Sequence, residues 1–131
     1  MSKPLSKRKI YAAIMAGGAA GASLRYLLLF LLAELPDREP WVILVENLTG
    51  AFLLGMLTGF IISKKIKDWP WAYLFGTGLL GSYTTFSTLA LDAIYLFQSS
   101  VFLSFAYVFF SISGGLLLAF LGLYIGKRGQ K

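Results

Sequence analysis

The chain has no cysteine and no histidine among its 131 residues. That removes disulfides, thiol nucleophiles and the usual transition-metal ligands. Acidic residues are scarce too: six Asp and Glu stand against twelve Lys and Arg, a formal net charge of +6. No phosphate-cradling loop and no catalytic dyad is present, so nothing argues for an enzyme. No polar stretch is long enough to form a soluble domain.

What the chain has in abundance is apolar residue. They make up 57% of the sequence, and the mean hydropathy is +0.72, too high for an ordinary small soluble protein. Four apolar runs cover 10–33, 41–63, 70–97 and 101–126. Each reaches the roughly 20 residues a helix needs to cross hydrocarbon. The breaks between them are short, so residues 1–131 form one all-α membrane unit of four transmembrane helices. A cleaved signal peptide is the rival reading of the basic start, but that apolar run continues through Arg25 and Tyr26 to Ala33.

The basic residues are sorted by side. With four spans, the N-terminus, second loop and C-terminus share one face of the membrane. That face holds Lys3, Lys7, Arg8, Lys9, Lys64, Lys65, Lys67, Lys127, Arg128 and Lys131. The opposite loops hold Arg38, and Arg25 lies within a span. Positive residues stay cytoplasmic, so both termini are predicted inside a cell membrane. Nucleic-acid binding is disfavoured, because no basic domain exists to dock.

Three charges fall within spans: Arg25, Glu46 and Asp92. Counting at 1.5 Å per residue, all sit roughly 7–13 Å in from the outer face. Intramembrane charges face inward and pair, so Arg25 either clips helices together through Glu46 or Asp92 or draws anions to a water-filled mouth. Gly17, Gly18, Gly21 and Ala22, the pair Gly55 and Gly59, and the pair Gly122 and Gly126 mark close helix approach.

The third run departs from this plan. Gly76, Gly78 and Gly81 lead into Ser82-Tyr83-Thr84-Thr85-Phe86-Ser87-Thr88. Polar or irregular backbone survives at membrane depth only where protein or a water path satisfies it. Two readings stand: a helix broken near 81–85 that frees carbonyls and N–H groups, or a continuous helix whose hydroxyls bond back to i−4 carbonyls. Asn47 in the second run either cross-links helices or lines a polar path. Ser104, Tyr107, Ser111 and Gly115 form a narrow polar seam at helical spacing in the fourth.

These residues resemble the Fluc (CrcB) family of fluoride channels. Gly17-Gly18-x-x-Gly21-Ala22-x-x-Arg25-Tyr26 is similar to the family's first-helix signature, and Asn47-x-x-Gly50-x-Phe52 to its second. Gly78-x-x-Gly81-x-x-Thr84-Thr85-Phe86-Ser87-Thr88 matches the third, and Tyr107-x-x-x-Ser111 with Gly114-Gly115 the fourth. The resemblance implies passive export of fluoride, which lowers its toxicity, by an antiparallel dimer with two narrow paths. It implies a structural sodium on the backbone carbonyls of Gly81 and Thr84. Along the anion path it places Asn47, Phe86, Tyr107 and Ser111, with Thr85, Ser87 and Thr88 beside them.

The chain departs from the family pattern at three positions. Leu89 replaces the second pore phenylalanine, Ile43 replaces a hydroxyl, and Gly115 leaves one seam position without a side chain. With the one-sided charge, these suggest half of a heterodimer whose paralogous partner has the opposite orientation, a homodimer remaining the alternative. A non-conducting assembly subunit and a small four-helix multidrug antiporter are the rival functions. The antiporter needs a mid-membrane carboxylate, which the first span lacks.

Overall fold

A computed structural model describes residues 5–32, 38–64 and 69–128, all of it helix and short turns. Helix α1 spans Lys7–Leu31 and α2 spans Arg38–Lys64. A third helical run, α3 (70–83), opens with an α-turn over Pro70–Ala72 and widens to a π-helix over Tyr73–Leu80. It closes with an α-turn over Gly81–Tyr83. Helix α4 covers Phe86–Ser99 and α5 covers Val101–Arg128, with Ser100 alone between them. The predicted end of the first span at Ala33 lies outside the described residues, as do Lys3, Lys65, Lys67 and Lys131.

Three helices are long and apolar enough to cross a membrane: Lys7–Leu31, Pro40–Lys64 and Val101–Arg128, with hydropathies of 1.5, 1.6 and 2.1. The predicted 70–97 run is divided between α3 and α4. Helix α1 starts earlier than the hydropathy edge at residue 10, because Lys7, Arg8 and Lys9 are good helix formers and sit exposed beyond the apolar stretch. Large apolar side chains such as Phe30, Phe102, Phe109 and Phe120 point outward, the arrangement expected where lipid replaces water around the bundle.

Small residues hold the helices together. Helices α2 and α5 run side by side in the same direction, both ending in basic residues. A Cβ added at Gly55 would collide with the Ala119 carbonyl, at Gly122 with that of Phe52, and at Gly126 with that of Met56. Backbone lies against backbone here, which supplies packing where hydrophobic burial gives no drive between helices. Helix α1 uses Gly17 and Gly21 in the same way against the Leu74 and Leu79 carbonyls of the π-helical segment. From the other side, a Cβ at Gly78 would lie 2.8 Å from the Ile14 carbonyl oxygen. The widened turns of α3 are thus pressed directly on α1.

Candidate functional site

Helical geometry stops after Tyr83. Thr84 is extended (φ −81°, ψ 153°) and Thr85 is extended (φ −149°, ψ 125°) before α4 begins at Phe86. The Thr84 N–H and hydroxyl both donate to the Leu80 carbonyl, at 3.1 and 2.9 Å. Thr84 therefore makes the i−4 back-bond of a continuous helix, yet the chain leaves the helix at that residue. The next peptide finds its partners elsewhere.

Those partners are on α2. Thr85 N–H donates to Asn47 Oδ1 at 2.8 Å, and Asn47 Nδ2 donates to the Thr85 carbonyl at 3.0 Å. One carboxamide satisfies both polar groups of one residue's backbone. In an unbroken helix Thr85 N–H would belong to the Gly81 carbonyl, so its commitment to Asn47 frees that oxygen. The last carbonyls of any helix lack internal donors, and this helix ends at Tyr83.

Two further residues of α2 support the same place. Thr49 Oγ1 lies 3.2 Å from the Tyr83 hydroxyl, and the Thr84 methyl fills the space where a Gly50 side chain would be. Gly50 is required for that approach. The Thr49–Tyr83 contact escaped the sequence reading, because residues two apart on a helix do not share a face and nothing tied Thr49 to Asn47.

Past the interruption, the hydroxyls form a cluster. Thr85 Oγ1 accepts the Thr88 N–H at 3.3 Å as the N-cap of α4. It also lies 3.2 Å from Ser87 Oγ and 3.1 Å from Thr88 Oγ1. Thr85 itself is buried, whereas Ser87 and Phe86 are exposed, Phe86 at 78%. The Phe86 ring projects away from the other helices at the first residue of α4.

The seam on α5 is buried and internally bonded. Ser104 Oγ donates to the Ala93 carbonyl at 2.7 Å and Ser111 Oγ to the Tyr107 carbonyl at 2.7 Å. Tyr107 Oη donates to Asp92 Oδ2 at 3.2 Å. A Cβ at Gly115 would meet nothing within 4 Å, so the seam ends in open space. Ile43 and Leu89, the two apolar departures, belong with Tyr107 to one buried cluster. They fill the interior beside Asn47 with hydrocarbon.

Glu46 is 1% exposed, and neither carboxyl oxygen has a hydrogen-bond partner among the described residues. Arg25 on α1 acts on it electrostatically without a direct hydrogen bond. The expected Arg25–Glu46 clip is therefore longer-range than a hydrogen-bonded ion pair. Among the described residues no cluster of His, Cys, Asp and Glu could hold a metal ion.

Comparison with known proteins agrees with these motifs. Residues 12–123 match the family described as CrcB-like protein, Camphor Resistance (CrcB). A protein of Desulfitobacterium hafniense named fluoride-specific ion channel FluC 1 is 42% identical over 113 residues. That alignment covers 85% of this chain and 97% of the relative. FluC 2 of Bacillus subtilis is 38% identical over 121 residues, 92% of this chain and 89% of the relative. FluC of Rhizobium meliloti is 42% identical over 110 residues, 82% and 88% respectively. On this evidence the chain belongs to the CrcB-like family, a family of ion channels and not of enzymes.

Proposed function

We propose that this chain is a subunit of a passive, fluoride-selective channel that lets fluoride leave the cytoplasm and so limits its toxicity. The observation that carries the reading is the match to fluoride-specific ion channels over 85% of the chain at 42% identity. Neither rival function, the antiporter or the non-conducting subunit, is favoured by those relatives.

In this reading, α3 and α4 together make a third membrane crossing, interrupted at Thr84 and Thr85, between the second and fourth. The subunit is completed by a second one in antiparallel arrangement. The 78% exposure of Phe86 supports this, since an aromatic ring at the interruption would be covered by a partner. The positive edge of that ring faces a partly dehydrated anion. Asn47, Tyr107, Ser111 and the hydroxyls of Thr85, Ser87 and Thr88 line the anion path, the Tyr107 and Ser111 hydroxyls turning from Asp92 and the Tyr107 carbonyl to donate to the ion. A strongly hydrated small ion needs a row of donors to replace its lost water.

A sodium ion fits the oxygens that the interruption frees. The carbonyls of Gly81 and Thr84 would hold it, and the ion would offset their partial negative charge. The chain contributes the hard oxygen donors and needs no carboxylate. Arg25 raises the local anion concentration at the mouth of the path.

Ten basic residues on one side fix the subunit with both termini in the cytoplasm. A partner of reversed orientation must then carry the opposite bias, which favours a paralogous subunit over a second copy. Purified protein in liposomes loaded with fluoride tests the function: a fluoride electrode should record efflux once a counter-ion path is supplied. Absence of efflux from this chain both alone and with its paralogue would refute the channel.

A further inference from the structure

The double bond between Asn47 and Thr85 does something that a pore-lining amide need not do. A carboxamide has two donors and two acceptor sites. Here one N–H is spent on the Thr85 carbonyl and Oδ1 on the Thr85 N–H. Thr85 is 8% exposed, so its backbone groups would otherwise be orphaned in a medium without water. Such groups are almost always paired. Without Asn47, the cheapest repair is for Thr85 N–H to return to the Gly81 carbonyl, which closes the helix. That closure would consume the freed oxygen and swing Phe86 out of its place at the start of α4.

We infer that Asn47 is a positioning residue: its side chain poses as a neighbouring strand, braces the Thr85 backbone and keeps the chain from re-forming helix between residues 83 and 86. The neighbouring residues fit this role. Gly50, three residues on, admits Thr84 against α2, and Thr49 holds the Tyr83 hydroxyl. Asn47, Thr49 and Gly50 thus form a saddle under the interruption. Only the second Nδ2 hydrogen remains for a passing anion. This inference rests on the channel reading for its effect on flux, but the brace exists without an anion.

Amide hydrogen exchange of the reconstituted protein in fluoride-free bilayers separates the two. Thr85 N–H, although outside any helix, should exchange as slowly as the amides of α5. Protection that is missing, or that appears only when fluoride is added, overturns the brace. Asn47→Leu should let the helix close, moving the Thr84 and Thr85 Cα chemical shifts in solid-state NMR from extended to helical values, with those of α5 unchanged. Asn47→Asp keeps an acceptor for Thr85 N–H and should retain most of the protection. Extended Cα shifts at Thr84 and Thr85 in both wild type and Asn47→Leu overturn the proposal. If wild type shows slow Thr85 exchange but no fluoride efflux, either alone or with its paralogue, the brace stands and the channel reading falls.

Discussion

At the scale of single residues, the costly feature is Glu46. A fully buried carboxyl with no hydrogen-bond partner among the described residues forfeits solvation that only a distant charge offsets. Arg25 offers attraction from a distance only. Replacing the carboxyl with an apolar side chain of similar size removes that loss. Glu46→Met is therefore expected to raise stability by about 1–3 kcal/mol, read as a higher unfolding midpoint in detergent. An unchanged or lower midpoint would mean that Glu46 has a partner outside this subunit. Phe86 makes the opposite kind of prediction, because its ring contributes little to its own subunit. Phe86→Leu should leave the unfolding midpoint within error and lower fluoride efflux about tenfold, equivalent to roughly 1.4 kcal/mol of barrier. Wild-type efflux from this variant would remove Phe86 from the path.

Between elements, the packing is of two kinds, and the glycines separate them. Gly122 sits with its Cα against the Phe52 carbonyl, whereas Gly115 on the same helix faces open space. Gly122→Ala must push α2 and α5 apart, at a cost of about 1–3 kcal/mol. Gly115→Ala should be neutral or slightly favourable, since alanine is the better helix former. Thermal unfolding of the two variants side by side checks this, and equal midpoints would contradict the close approach. The π-helix of α3 belongs to the same scale. A run of eight residues in that geometry is rare and usually marks a functional segment. It lies against Gly17 and Gly21 of α1, so the wide turns are held by backbone on one side.

For the molecule as a whole, charge and membrane decide the arrangement. Lys7, Arg8, Lys9, Lys64, Lys127 and Arg128 occupy helix ends that the proposed topology puts on one side. The chain lacks cysteine, so single cysteines at Ser6 and Ser99 can report sidedness without background. A membrane-impermeant thiol reagent applied outside intact cells should label Ser99→Cys and spare Ser6→Cys. Equal labelling of both would mean that the chain inserts in two orientations. In that case a homodimer suffices and no paralogue is needed.

Composition and pattern alone were enough for the all-helical class, the family and the polar stretch at 81–88. Apolar runs of spanning length and the scarcity of charge restrict the chain to membrane helices. Gly17, Gly21, Asn47, Gly50 and the Thr84–Thr88 stretch carry the family signature in their order along the chain. The sequence could not show that Asn47 reaches a backbone 38 residues away, nor that Ile43 and Leu89 belong with Tyr107 to one cluster. It also gave no sign that Glu46 would find no hydrogen-bond partner among the described residues. Local pattern reports a residue's own helix face and neighbours three or four positions away. Which polar group on another helix stands opposite is settled only when the glycine-to-carbonyl contacts fix how far each helix slides along the next.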